Sequence, residues 1–434
     1  MKRLLWVKVM ALAFTFCAPL AQGGEASFVP FVPFVYPGDL PPLDQVLAAI
    51  RQAPAVQAAQ ALIDAEAAQR DSLEAGPHEW ALRLEGARRN TQALAGNPEQ
   101  RYREWRAGLE RPLRLPGKAA LDAQIGAQGI VQAQAAFGEA LHESALSLLK
   151  NWFSWLRERE AVGQWQLQSE SLGQQQQATR RRVELGDAPR LELLQSEAAS
   201  AQAQAALAQA QLRARVAAAE LGARFPALKL PADLALTPPQ PLAGSLAEWR
   251  EHLLEHNHEW LLARAQTQHA RLLASRADAE RTPDPTLGFH MGSDRSGEEK
   301  LIGISLSIPL PGPARSSNAR RARALAAASA QQEAATLAKI NAEIARTFAS
   351  AQAAYEAWQR AEEAAQRIEQ ASALTARART LGEAALGDVL LAQRQANEAR
   401  LGANSARLDA LEARYRLYAD THQLWPVADQ GHDE

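Results

Sequence analysis

Ile302-Gly303-Ile304-Ser305-Leu306-Ser307-Ile308 alternates strictly between large aliphatic and small or polar residues. A period of two places one kind of side chain on each face of a β-strand. The same alternation occurs just upstream in Leu287-Gly288-Phe289-His290-Met291. It recurs far earlier in Trp80-Ala81-Leu82-Arg83-Leu84-Glu85-Gly86-Ala87 and in Glu104-Trp105-Arg106-Ala107-Gly108-Leu109-Glu110. The polar stretches Asn90–Gln100 and Gly292–Lys300 carry Gly, Asn or Pro and predict hairpin loops. With their flanks, the strands each reach about 9 to 11 residues, the length of a tilted strand that crosses a bilayer.

Outward from each hairpin the pattern becomes helical. Lys118–Leu185 and Ala314–Leu381 each predict a helix of roughly 100 Å at 1.5 Å per residue, far beyond a globular helix. Leu43–Glu74 and Arg190–Arg224 together match the length of the first long helix, so they fit beside it end to end. Leu246–Glu280 and a segment ending near His422 do the same for the second. Leu141, Ala145, Leu148, Trp152 and Trp155 step by heptad spacing, as do Leu408, Leu411, Tyr415, Tyr418, His422 and Trp425. Such seams bury against another helix.

The chain is duplicated. Leu185-Gly186-Asp187-Ala188-Pro189-Arg190-Leu191-Glu192-Leu193-Leu194 aligns without gaps on Leu381-Gly382-Glu383-Ala384-Ala385-Leu386-Gly387-Asp388-Val389-Leu390. Arg111-Pro112-Leu113-Arg114-Leu115-Pro116-Gly117-Lys118 is similar to Ile308-Pro309-Leu310-Pro311-Gly312-Pro313-Ala314-Arg315, and Pro77–Leu82 matches Pro283–Gly288 more weakly. Three matches in one order, at nearly one spacing, define two copies of a unit. The expected organisation is a signal peptide at 1–21, a Pro-rich segment at 22–42, repeat 1 at 43–224, a linker at 225–241, repeat 2 at 242–425 and a tail at 426–434. Each repeat reads helix, β-hairpin, long helix, helix. The fold class expected is mainly α with a small β part.

Lys2 and Arg3 precede an apolar run from Leu4 to Phe16, and small residues follow at Ala18–Gly24. That is the pattern of a secretory signal peptide. The run is shorter than the ~20 residues of a membrane helix and is broken by Lys8. The alternative of a lipid anchor on Cys17 lacks the small residues expected before the cysteine.

Composition narrows the function. The hydrophobic share is 47% but aromatics are only 6%, because Ala carries much of it, which suits long helices rather than compact mixed domains. A count of 47 Lys+Arg against 49 Asp+Glu leaves no basic excess for a nucleic-acid partner. The single cysteine excludes a disulfide framework or a multi-thiolate metal site within one chain. Gly117-Lys118 is followed by Ala119, so no phosphate-cradling loop forms there, and His142-Glu143 does not continue as a zinc-protease helix. No catalytic constellation, cofactor site or metal centre is expected. His252, His256 and His258 cluster on one predicted helix; the first two could share a metal, but no third ligand accompanies them, and a polar helix surface is the simpler reading.

Four strands cannot close a barrel, for which about eight is the minimum. In lipid, each unpaired backbone group at an open edge costs several kcal/mol. Strands facing lipid therefore require sister chains to complete the cylinder, with polar faces lining a wet lumen, His290 among them, and Trp80 and Trp105 in an aromatic girdle. The competing home for the hairpins is a small sheet lying on the protein's own helices.

The ordered set of duplicated unit, strand-to-helix junctions and Leu-Gly turns resembles the TolC-like outer-membrane efflux proteins over about residues 40–425. The junction Arg111–Lys118 is most similar to the heavy-metal, CzcC-like branch. The resemblance implies a homotrimer with a 12-stranded barrel in outer-membrane lipid, continuous with a periplasmic helical tunnel. Its implied partners are a periplasmic adaptor (membrane fusion) protein and an inner-membrane pump. It also implies an acidic ring closing the periplasmic end. Asp388 matches the first position of that ring, whereas the second is Leu391, a departure that leaves one acid per chain. Glu192 occupies the equivalent place in the first copy, and Asp187 and Glu383 are further acids at the tip. Each could equally be ordinary negative charge at a helix N-terminus. Arg180, Arg181 and Arg182 could pair with tip acids or form a solvated face. Gly186 and Gly382 are expected hinges of an opening tip. The function expected is a passive exit duct, with heavy-metal cations as substrate; drug efflux and type I protein secretion remain alternatives. A periplasmic coiled-coil adaptor or scaffold without a pore is the rival of another class.

Overall fold

The structure is a computed structural model that describes residues 36–92, 96, 98–255 and 257–425. The signal peptide, Cys17, His256 and the 426–434 tail lie outside the described residues. The elements run α1 (Leu43–Arg51), α2 (Pro54–Ala75), β1 (Ala81–Thr91), β2 (Gln100–Pro112), α3 (Lys118–Glu184), α4 (Arg190–Arg224), α5 (Leu246–Glu255), α6 (His258–Ala279), β3 (Thr286–Asp294), β4 (Glu299–Ser307), α7 (Pro313–Thr380) and α8 (Leu386–Asp420). The chain is mainly helical with one four-stranded antiparallel sheet, ordered β1-β2-β3-β4.

The long helices are α3, with 67 residues, and α7, with 68. Shorter helices occupy successive stretches of α3. The backbone of Arg70 on α2 lies against Gly126, while Glu158, farther along α3, receives Arg213 of α4 at 2.8 Å. The two repeats share one core. Trp152, Phe153, Leu148 and Leu156 of α3 are fully buried, and Phe153 packs on Tyr415 of α8 with ring centroids 5.9 Å apart. Asp39, also fully buried, accepts from Tyr415 Oη at 2.9 Å and Thr237 Oγ1 at 2.7 Å, and its carbonyl accepts from Trp152 Nε1 at 3.0 Å. These bonds pin the start of the described chain and the 225–241 stretch onto the helices.

Two expectations need correction. The first helix of each repeat is broken rather than continuous. In repeat 1, Pro54 opens α2 after Ala53 adopts extended backbone, because a proline disfavours helix in the residue before it. In repeat 2, Asn257 restarts the helix by accepting the Trp260 N–H at 2.8 Å. The hairpin loops are also shorter than Asn90–Gln100 and Gly292–Lys300. β1 runs on to Thr91 and β2 begins at Gln100, where Thr91 Oγ1 donates to the Gln100 carbonyl at 3.2 Å, and β3 runs on to Asp294 with β4 beginning at Glu299. The second turn is closed by Arg295, Ser296 and Gly297, all with positive φ.

The hairpins of the two repeats join through β2 and β3 into one sheet. Leu82, Leu109, Phe289 and Ile304 form one row across it, and Leu84, Ala107, Met291 and Ile302 form the next. This face is not laid on helices: Leu84 is 70% exposed, Ile302 72% and Ile304 77%. A small sheet lying on the protein's own helices is thereby excluded. β1 and β4 each keep one open edge within the chain.

Candidate functional site

Two regions carry the residues of interest, the polar face of the sheet and the helical tip. On the polar face, alternation brings Arg83, Glu85, Arg106, Glu110, His290, Ser305 and Ser307 around one groove. Arg83 pairs with Glu110 at 3.2 Å and Arg106 with Asp294 at 3.7 Å. The strand period puts His290 on this face. Its ring lies over Gly303, where a Cβ would come within 2.6 Å of Nε2. The glycine is needed for that approach.

At the tip, the two Leu-Gly turns are built identically. The Asp187 N–H donates to the Arg182 carbonyl at 2.8 Å and the Gly186 N–H to Val183 at 3.0 Å. In repeat 2 the Glu383 N–H donates to Ala378 at 2.9 Å and the Gly382 N–H to Arg379 at 3.1 Å. This is the Schellman closure of a helix, which needs a left-handed residue. Gly186 (φ 75°) and Gly382 (φ 81°) supply it. Both candidate hinges are thus hydrogen-bonded helix stops in this state.

The equivalent acids of the two repeats do different things. Asp388 is exposed and turns back on its own helix, its Oδ2 accepting the Ala385 N–H at 3.2 Å. That is half of a capping box, since alanine cannot return the bond. Glu192 reaches across the repeats to Arg379, whose Nη2 donates to Oε2 at 2.6 Å, with Arg182 at 3.9 Å. Asp187 accepts from Arg182 Nε at 2.8 Å, and Arg180 pairs with Glu197 at 3.0 Å. Arg180 and Arg182 are therefore paired rather than merely solvated. Glu383 is exposed at the tip.

The His252–His256 pairing involves a residue outside the described ones, and the described histidines meet others. His258 packs on His422 with centroids 4.8 Å apart, and His142 lies 5.5 Å from His422 and 3.4 Å from Asp420. Among the described residues no group of His, Cys, Asp and Glu is arranged to hold a metal ion.

Sequence reading missed a buried ionic weld where strands meet helices. Lys118, 2% exposed, donates from Nζ to the Thr282 carbonyl at 2.7 Å and to Asp284 Oδ1 at 2.9 Å, and lies 3.3 Å from Glu280. Glu280 also receives Arg276 at 2.5 Å and Arg315 at 2.6 Å. Burial pushes the Asp284 carboxyl up, but bonds from Lys118 Nζ and the Leu115 N–H outweigh it and hold it below its ordinary value. Burial likewise opposes, and Arg276, Arg315 and Lys118 prevail, at Glu280. The signal is present in the sequence: Lys118 ends the Arg111–Lys118 junction motif and Asp284 lies between the two prolines of the Pro283–Gly288 match.

Among the described residues no helix is long and apolar enough to cross a membrane. Residues 249–421 match the family model described as outer membrane efflux protein. No curated protein matches the chain in sequence. Among solved structures, the chain is similar to the CmeC outer membrane channel of Campylobacter jejuni, with 14% identity, 90% of this chain and 86% of that one covered, and a TM-score of 0.74. It is similar to the outer membrane protein VceC of Vibrio cholerae, at 19% identity, 87% and 95% coverage and a TM-score of 0.69. It is also similar to the open state of the Neisseria gonorrhoeae MtrE outer membrane channel, at 20% identity, 88% and 89% coverage and a TM-score of 0.61. CmeC and MtrE are outer membrane channels. The chain thus has the fold of the TolC-like outer-membrane efflux channels, and most of its second repeat matches the outer membrane efflux protein family.

Proposed function

We propose that this chain is one subunit of a trimeric exit duct through the outer membrane, extended by helices into the periplasm and fed by an adaptor and an inner-membrane pump. One observation carries the reading: a four-stranded sheet that exposes its whole apolar face and leaves an edge open on either side. Such a sheet is unstable in water and incomplete in lipid, and sister copies remedy both defects. A coiled-coil scaffold without a pore gives the exposed rows of Leu84, Ile302 and Ile304 no purpose.

The duct is passive, and its polar strand face offers paired charges rather than a binding site. Selection falls to the tip, where Asp388 and Glu192 supply carboxylates and movement of the helices about Gly186 and Gly382 opens the passage. Heavy-metal cations are the proposed substrate class, supported by the resemblance of the Arg111–Lys118 junction and by these tip acids. Drug and polypeptide export are the alternatives. Recovery from outer membranes of a heat-modifiable, β-containing trimer that conducts in planar bilayers is the expected result. A water-soluble monomer without conductance would end this reading. Sensitivity of a deletion strain to metals rather than drugs then assigns the substrate.

A further inference from the structure

The two faces of the sheet treat cations differently. On the polar face every arginine of the strands has an acid, in the pairs Arg83–Glu110, Arg89–Glu104 and Arg106–Asp294. On the apolar face the situation reverses near the turns. The row above Ile302 and Met291 runs Gly86, Trp105, Ser293, Lys300, and in the next row Arg88 lies directly opposite Arg103. Arg88, Arg103 and Lys300 are exposed, and among the described residues no acid or hydrogen-bond partner meets their charged groups, although the Arg103 backbone N–H donates to Ser296 Oγ at 3.1 Å. Arg101, on the same face, is tempered by Glu99 at 3.6 Å.

Like charges directly opposite on neighbouring strands destabilise the pairing. An anion lying between them reverses that sign. Directly beneath are Trp105 and the apolar rows, so the ligand is anionic at one end and apolar at the other. The helices leave the opposite end of the sheet, which places the cations at the outer rim of the membrane. We infer that Arg88, Arg103 and Lys300 form a binding site for the phosphate groups of a phosphorylated glycolipid in the outer leaflet. Its acyl chains would lie along Leu84, Met291 and Ile302. Two guanidinium groups grip phosphate oxygens by paired N–H donors, and the Lys300 ammonium adds a point charge. The inference rests on the duct reading above.

The test uses full-length trimer from outer membranes, with bilayer conductance measured first. Phosphorylated glycolipid, its dephosphorylated form and phosphatidylcholine are then titrated onto delipidated trimer and counted by native mass spectrometry. At about fivefold per cation near an anionic headgroup, the variant Arg88→Gln/Arg103→Gln/Lys300→Gln should bind the phosphorylated lipid roughly a hundredfold more weakly while conducting normally. The charge-keeping variant Arg88→Lys/Arg103→Lys should retain most of the binding. Equal binding by wild type and the triple variant, or by phosphorylated and dephosphorylated lipid, would overturn the site while leaving the duct intact. A wild-type protein that never conducts removes both.

Discussion

Glu192, in the first turn of α4, and Arg379, in the last turn of α7, form an ion pair at 2.6 Å that ties the tip of repeat 1 to the tip of repeat 2. Both side chains are about one-fifth exposed, so water screens the pair only partly. Arg379 also donates to the Ala384 carbonyl at 3.2 Å, which fixes its direction. If the tip opens by separating the two repeats, this bond must break. Glu192→Gln and Arg379→Gln should each remove about 1–3 kcal/mol from the closed state. Bilayer recordings are expected to show higher conductance for each. The swap Glu192→Arg/Arg379→Glu should recover part of the closure. Unchanged conductance in both single variants would mean that the pair is not a latch.

Asp388 offers a separable test, because it caps its own helix and leaves its second oxygen toward solvent. Losing the cap costs roughly 0.5–1 kcal/mol of local helix stability, too little to dismantle the trimer. Asp388→Ala should lower cation over anion selectivity while leaving the oligomer intact by gel mobility. Selectivity equal to that of wild type would exclude the residue from the constriction.

The sequence displayed the strands and the duplication plainly, because alternation and self-similarity are properties of residue order alone. Alternation alone assigns Trp80, Leu82 and Leu84 to one face and His290 to the other. The partners of charged residues could not. Glu192 and Asp388 occupy equivalent places in the alignment, yet one reaches Arg379 and the other its own Ala385 N–H. That choice depends on which helix end lies within about 3 Å, a consequence of packing between repeats. The histidines illustrate the same limit. His252 and His258 are neighbours in sequence, but His258 meets His422, just past the end of α8, and His422 in turn meets His142 of α3. The helix breaks at Pro54 and Asn257 were legible in principle from a proline and a capping residue, each lying inside a segment otherwise helical in composition.

The Lys118 weld predicts a pH dependence. The folded values of Asp284 and Glu280 lie below their ordinary values of 3.8 and 4.5, so their contribution to stability is present above that range. It fades as pH falls below about 4.5 and is lost as pH passes through the depressed folded values. Thermal unfolding in detergent should therefore show a decline on acidification that is shallower in Asp284→Asn. The same variant should cost about 2 kcal/mol at neutral pH, because Lys118 stays buried with Glu280 as its remaining acid. A variant that unfolds at the wild-type temperature at both pH 7 and pH 4 would show that the weld contributes nothing.

Ile304 and Ser305 are adjacent in β4 and face opposite ways, so one substitution can be placed in two environments within the same strand. A lysine at Ile304 would meet lipid near the middle of the apolar rows, where such a charge costs about 2–4 kcal/mol. A lysine at Ser305 would project into the polar groove beside Glu110 and His290, where water and an acid receive it. In a trimer each cost is incurred three times, which is enough to decide assembly. Ile304→Lys is therefore expected to abolish recovery of trimer from outer membranes, while Ser305→Lys leaves assembly intact and alters conductance. Were the protein a scaffold in water, the order would invert or vanish, because a lysine on an exposed apolar face would then improve solubility.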